Sequence, residues 1–238
     1  MSGENREAIE LWNAEYERGG IPSSVRTAPS GAVVWALGEL RQQPHAIRTA
    51  VDIGCGKGRN SLYLARESIH VTAMDFTPAA IAHLEKTAKA EGLAEKIRAL
   101  TVDVTEPWPL APDSADFAVD AFCFKHITPS EARDGYKQSL LQVLRRHGHY
   151  LISFASVGDG YYGHYMKKRI DEHEEIVVDP VNGIESALFS RERVVRFFAP
   201  ELDLFKEIHH NTPSAMHGEV YDRSTYALLF RRSPRYFR

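Results

Sequence analysis

Residues Val51–Ala65 read VDIGCGKGRNSLYLA, and the rest of the chain can be read outward from them. Ala50 to Ile53 form a short apolar run interrupted only by Asp52, while Asn60 onward resumes with helical character, so glycines 54, 56 and 58 lie between a buried strand and a helix. Glycine tolerates φ > 0 and leaves the backbone bare. At the carboxyl end of a sheet strand, such a turn is where doubly wound folds bring a ligand against main chain. A nucleotide-like cofactor is the expected occupant.

Upstream, Ile9, Trp12 and Tyr16 recur at helical spacing until Gly19-Gly20 stops them; IPSSVRTAPS then reads as loop, and Ser30 caps a second helix through about Arg41. Downstream, IHVTAMD is a second strand, and Thr77-Pro78 opens a helix carrying Ile81, Leu84 and Ala88 that Gly92 ends. IRALTVD and DFAVDAFCF are a third and a fourth strand. TPSE, from Thr128 to Glu131, has the form of a capping box ahead of Ala132, Tyr136, Leu140 and Val143, and HYLISFA is a fifth strand. ELDLFKEI and STYALLFRR, with no helix between them, predict a terminal antiparallel pair. The expected class is α/β: a Rossmann-like doubly wound sheet, mostly parallel with a C-terminal antiparallel strand, helices on both faces and right-handed crossovers.

A chain of 238 residues, 43% hydrophobic and 26% charged, suits one domain with one sizeable core. Within it, residues 1–45 read as an N-terminal helical cover, 50–155 as the ligand-binding core, 156–189 as a lid or substrate insertion, and 190–238 as a C-terminal helix and strand pair. The net charge of −3 gives no general pull toward nucleic acid or anionic membrane, although RRSPRYFR at the end is locally basic. Two cysteines, Cys55 and Cys123, do not make a secreted disulfide framework, and the start MSGENREAIELW lacks a basic-then-apolar signal pattern. A soluble, cytoplasmic protein is expected, with its oligomeric state open.

The glycine spacing narrows the ligand. A dinucleotide fingerprint would place its third glycine at position 59, which is Arg59, and a phosphate loop would follow its last glycine with Lys and then Ser or Thr, where Arg59 and Asn60 stand. VDIGCGKG resembles instead the first motif of class I methyltransferases that use S-adenosylmethionine. Asp75, at the end of the second strand about 20 residues past the loop, and Asp103, after the third, stand where that family has acidic residues. The resemblance covers roughly residues 50–155. It implies that the loop packs on the methionine part, that Asp75 accepts from both ribose hydroxyls, that Asp103 meets the adenine amino group, and that Phe76 or Val104 lies on the ring. Asp52, Gly54, Cys55, Gly56, Gly58, Asn60 and Ala121 complete the cofactor surface so implied. RRHGH replaces the Pro-Gly-Gly turn of many relatives. GKGRNSLYLA is similar to the tellurite-resistance and thiopurine-type methyltransferases, over the cofactor loop and helix only.

Methyl transfer requires an acceptor held in line and water excluded, with a base only for a protonated acceptor. No Asn-Pro-Pro-Tyr motif follows the fourth strand, Cys123 lacks a preceding proline, and no basic stripe is present, so a nucleic-acid acceptor is not expected and a small molecule is. Asp120 and Asp159 are candidate metal carboxylates with no Asn to complete a set, and His164, His173, His209, His210 and His217 lack compact ligand spacing, so no metal is expected. His126 stands where the resembled family often has histidine, as base or as structural group; Tyr16 and His164 are the other candidate bases. Trp12, Tyr161, Tyr162, Tyr165 and His217 are candidate acceptor contacts, with packing among themselves as the alternative reading for the tyrosines. Gly158, Gly160 and Gly163 would let the insertion hinge. Readings kept open are a non-catalytic cofactor sensor of the same fold, a methyltransferase acting on protein or RNA, and a nicotinamide oxidoreductase.

Overall fold

The computed structural model describes residues 3–165, 167–171 and 173–236. Met1 and Ser2 of the cover, Met166 and Glu172 of the insertion, and Phe237 and Arg238 of the basic tail lie outside the described residues.

Three helices come first: α1 (Gly3–Arg18), a single turn α2 (Pro22–Val25) inside the stretch read as loop, and α3 (Gly31–Leu40). The alternating core follows as β1 (Thr49–Ile53), α4 (Arg59–Arg66), β2 (His70–Asp75), α5 (Pro78–Ala90), β3 (Ile97–Thr101), β4 (Ala115–Ala121), α6 (Ser130–Val143) and β5 (Leu144–Ala155). Strands β6 (Lys167–Asp171), β7 (Glu174–Val178) and β8 (Glu185–Phe189) precede α7 (Arg191–Phe198) and the long strands β9 (Leu202–Met216) and β10 (Glu219–Arg232). The main sheet has seven strands in the order β3-β2-β1-β4-β5-β10-β9; β1 to β5 are parallel, and β10 runs antiparallel to both β5 and β9.

Alternation along the strands feeds two cores. Phe117 and Val119 of β4, Leu151 of β5 and Leu229 of β10 face α3 and α4, where Val33, Leu37, Leu40 and Leu64 are buried against them. Ala118, Tyr150, Ile152 and Phe230 face the other way, onto Tyr136, Leu140 and Val143 of α6 and Phe198 of α7. Each buried Leu or Phe contributes ~1.5–3 kcal/mol, and together they hold the strand ends that carry the site.

Several local expectations are corrected. Helix α6 begins at Ser130 with Pro129 as its cap residue, so TPSE forms no capping box; the Thr128 hydroxyl donates to the Glu185 carboxylate instead. Ser30 and Thr77 stand at the cap positions but their side chains make no cap bond: Val33 N and Ala80 N donate to the Ser30 and Thr77 carbonyls, while the N–H groups of Ser30 and Thr77 themselves donate to Asn60 Oδ1 and Asp75 Oδ1. The insertion holds a three-stranded antiparallel sheet, β6-β7-β8, tied to the end of β5 by a bridge between Ser156 and Phe189. Gly160 serves close packing: its N–H donates to Asp222 O (3.0 Å), and a Cβ there would overlap that carbonyl. The terminal pair extends well beyond ELDLFKEI and STYALLFRR, through His209 and His210, to a turn at His217-Gly218.

Candidate active site

The glycine loop joins β1 to α4 in a conformation that requires its glycines. Gly54 has φ +64, and a Cβ there would stand 2.5 Å from Cys123 Sγ. Gly58, with φ +85, is the cap residue of α4, and a Cβ would overlap Leu84 of α5. Non-glycine residues at such angles cost roughly 1–3 kcal/mol before any clash is counted. Beneath the loop, Asp52 accepts from Ser61 Oγ (2.6 Å) and is pushed up to about 6 by burial, so it braces the strand-to-helix junction. Cys55 donates its N–H to Met74 O (2.9 Å), and Asn60 accepts from Ser30 N (2.9 Å), tying α4 to α3.

Asp75 ends β2 beside the loop. Its Oδ2 accepts from Gly56 N (2.9 Å) and its Oδ1 from Thr77 N (2.9 Å), which orients the carboxylate and leaves lone pairs for further donors. Burial raises its pKa, with the Thr77 and Gly56 bonds pulling the other way. Past β3, Asp103 Oδ1 accepts from Thr105 N (2.9 Å) and Oγ1 (2.7 Å); Val104 is buried, and Phe76 is half-buried next to Asp75. Ala121 closes β4, paired with Ser153 of β5. Bare backbone at Gly54 and Gly56, with two carboxylates at the ends of adjacent strands, fits an adenosyl ligand carrying hydroxyl and amino donors.

The cover closes over this loop. A Cβ at Gly56 would stand 3.0 Å from Tyr16 Oη of α1, and Lys57 Nζ donates to Tyr16 O (2.7 Å) and Ser24 O (3.3 Å). Glu15, fully buried, accepts through Oε1 from Gly20 N, Ile21 N and Ser24 Oγ (2.8 Å each) and through Oε2 from Asn182 Nδ2 (3.2 Å). Arg18 Nη1 donates to Val181 O (2.6 Å). The tip of the β9–β10 hairpin joins them: His217 N donates to Gly20 O (2.7 Å), and its Nε2 lies 3.1 Å from Asp179 Oδ2. Segments far apart in sequence thus meet on one corner.

Beside that corner is a cavity of about 240 Å³. Pro22, Arg26 and Pro29 of the cover, Phe122, Lys125 and His126 after β4, Tyr162 and Ser186 of the insertion, and Met216 and Arg223 of the hairpin contribute to its walls. Phe122 is held at φ +75, a strained angle for an aromatic residue, with its N–H donating to Ser153 O (3.0 Å). His126 Nδ1 lies 2.9 Å from Glu185 O, a pure acceptor, so Nδ1 carries the proton and Nε2 the lone pair. Burial and the Lys125 charge push the imidazole well down from its ordinary value, keeping it neutral at pH 7.

The family model described as "Methyltransferase domain" matches residues 50–148. Over those residues the chain is similar to a methyltransferase domain. The 2-heptyl-1-hydroxyquinolin-4(1H)-one methyltransferase of Mycobacteroides abscessus is 26% identical over 152 residues, which are 60% of this chain and 63% of that protein, under two thirds of its length. Among solved structures, the 1,6-didemethyltoxoflavin-N1-methyltransferase of Burkholderia thailandensis, with 1,6-didemethyltoxoflavin and S-adenosylhomocysteine bound, superposes with TM-score 0.70 at 17% identity, covering 98% of this chain and 91% of that one. TehB of Haemophilus influenzae gives TM-score 0.64 at 20% identity, covering 87% of this chain and 64% of that one. These structural likenesses carry the fold.

Around this core, the candidate site residues separate into groups. His126 and Tyr162 line the cavity. Trp12 stands edge-on to His126 (4.9 Å between centroids) and tilted against Tyr16. Burial raises the Tyr16 phenol well above its ordinary value, so it keeps its proton at neutral pH. Tyr161 is buried behind the cavity wall, donating to Asp179 Oδ2 (2.9 Å) and packing on Tyr165, Tyr221 and His217; these residues brace the hairpin. His164 is exposed near Tyr221. Asp120 accepts from Tyr136 Oη (2.7 Å), Cys123 N and Phe124 N, and Asp159 from Arg223 Nε (2.8 Å), so both carboxylates are engaged by the protein. The sequence pattern does not mark Glu15, Arg26, Lys125, Ser186 or Arg223 as site residues, and Arg59 stands out only by its place after the last glycine. The one visible signal was a lysine inside the apolar run DFAVDAFCFKHI.

Proposed function

We propose that this protein is an S-adenosylmethionine-dependent methyltransferase whose acceptor is a small molecule bound in the cavity beside the glycine loop. The observation that carries the reading is this cavity's composition: it is walled jointly by the cover, the turn after β4, the insertion and the β9–β10 hairpin, at the ligand-binding end of the sheet. A volume of about 240 Å³ suits a molecule of one or two rings and is too small for a folded macromolecule. The 2-heptyl-1-hydroxyquinolin-4(1H)-one methyltransferase of Mycobacteroides abscessus and the 1,6-didemethyltoxoflavin-N1-methyltransferase of Burkholderia thailandensis, named for small heterocycles, support that size class. S-adenosylmethionine, when bound, supplies an electrophilic methyl group on sulfur.

The chain's own residues have three tasks in this reading. Gly54, Gly56, Asp75 and Asp103 hold the cofactor. Trp12, Tyr16 and the Glu15 network close the cover and exclude water, a contribution that positioned bimolecular transfers need. His126 takes the proton of a protonated acceptor on Nε2, its orientation set by Nδ1–H on Glu185 O. The two free cysteines suit a cytoplasmic setting.

The test is incubation of the purified protein with methyl-labelled S-adenosylmethionine and a library of small aromatic and heteroaromatic nucleophiles, read by mass spectrometry. A labelled low-molecular-weight product is expected, with turnover reduced ~100-fold or more in His126→Gln for an O–H or N–H acceptor. Label on protein or RNA only, with none on any small molecule, would overturn the acceptor class.

A further inference from the structure

Four Lys and Arg side chains line the cavity; Arg223 is paired with Asp159, and among the described residues Lys125, Arg26 and Arg59 form no ion pair. Lys125 is 5% exposed; its Nζ donates to Tyr162 Oη (2.8 Å) and Ser186 Oγ (2.9 Å), both neutral and both on the cavity wall. An ammonium has three donors, so one remains unassigned. Arg26 and Arg59 line the same cavity and make no ion pair. Burial and then the nearby Arg26 charge pull the Arg59 guanidinium down from its ordinary value, against a smaller opposite pull from the buried Asp52 carboxylate, which Ser61 holds.

The carboxylates that reach this region are held by other groups. Asp179 accepts from Tyr161 Oη and Val181 N and lies against His217, while Asp159 is bridged by Arg223. Burying a cation without an anion is costly, and like charges kept together add to that cost. Lys125 bears that burial cost, with Arg59 half-buried and Arg26 exposed beside it, and a cavity that gathers the three is arranged for a negative charge the protein itself does not provide. The apolar and aromatic part of the wall, Phe122, Pro29, Ile184 and Met216, would hold the body of the same ligand.

We propose that the acceptor is an organic acid, bound as its anion: a small aromatic or heteroaromatic ring whose ionised group is held by Lys125 with Arg26 and Arg59. This rests on the methyltransferase reading above and specifies its acceptor.

The test uses acid and amide pairs of equal shape: benzoate and benzamide, salicylate and salicylamide, 2-naphthoate and 2-naphthamide. Each is titrated calorimetrically into the protein saturated with S-adenosylhomocysteine. At least one acid is expected to bind ~10-fold or more tightly than its amide. In Lys125→Gln, which keeps hydrogen-bonding capacity and removes the charge, the preference should fall to ~2-fold or less, and in Arg26→Gln, at an exposed position, it should fall partway. S-adenosylhomocysteine affinity should stay within ~2-fold of wild type in both variants.

The proposal is overturned if amides bind as well as acids, if no acid binds below ~10 mM, or if the preference survives both substitutions. It is equally overturned if S-adenosylhomocysteine affinity falls in parallel with acid affinity, which would give these cations to the cofactor's own carboxylate. Failure of wild type to bind S-adenosylhomocysteine at all is a separate result and removes the methyltransferase reading instead.

Discussion

The cofactor half and the acceptor half of this molecule are built in opposite ways. The first is local: loop, Asp75 and Asp103 fall within about fifty consecutive residues, each at the end of a strand whose neighbours are set by the alternating sheet. The second is assembled from α1–α2, the turn after β4, the β7–β8 turn and the β9–β10 tip, joined by Glu15, Asp179 and His217. A local site is held by the fold itself, whereas an assembled site depends on a few buried polar bonds. Damage to the first should therefore abolish cofactor binding, and damage to the second should spare it while impairing acceptor turnover.

The largest expected effect is Gly54→Val. The positive φ and the overlap with Cys123 combine to destabilise the loop, and cofactor binding should be lost entirely in calorimetry. Next is Asp75→Ala, which removes the carboxylate that organises Gly56 and Thr77. S-adenosylhomocysteine should bind ~100-fold more weakly, about 3 kcal/mol, and because the Gly56 and Thr77 N–H groups lose their acceptor, unfolding free energy should fall by ~2 kcal/mol in a protein that still folds.

Glu15→Ala separates the halves. It leaves the Gly20 N–H without its acceptor and the Ile21 N–H with only its longer bond to Ser24 Oγ (3.3 Å), an expected cost of ~2 kcal/mol in denaturant unfolding. Steady-state kinetics with the identified acceptor should show its kcat/KM falling ~10-fold, and cofactor affinity should move by less than ~3-fold. Equal losses on both sides would erase the distinction drawn here.

The smallest effect is one of pH. Burial raises Asp52 to about 6, so the folded state holds its proton at pH values where the unfolded chain has released it. That contribution to stability is complete below the unfolded value near 4 and is lost as pH rises through about 6, removing about 1 kcal/mol between pH 5 and 7. Asp52→Asn should flatten the decline in unfolding free energy over that window; an unchanged slope would show that Asp52 does not carry it.

The contrast also explains what was legible in the sequence. The glycine spacing, Asp75, Asp103 and the apolar strands could be read because their meaning is contained in short windows. The three-stranded sheet inside 156–189 and the full length of the terminal hairpin could not. Strand pairing there is decided by partners tens of residues away, and HHNTPSAMHG lacks the β-branched and aromatic pattern that marks a strand. Tyr161 and His217 could be recognised as participants in closure, but an aromatic cluster read from sequence does not show which ring faces a cavity and which supports it. Lys125 escaped notice because a lysine beside a strand is ordinarily a solvated one, and only its burial against Tyr162 and Ser186 reveals otherwise.

The most direct test of this division is a paired titration of S-adenosylhomocysteine into wild type, Asp75→Ala and Glu15→Ala. Saturable binding by wild type, weakened ~100-fold by Asp75→Ala and nearly unchanged by Glu15→Ala, is the result expected of a locally built cofactor site beneath an assembled cover. Wild-type affinity retained in Asp75→Ala, or binding abolished by Glu15→Ala in a folded protein, would contradict it.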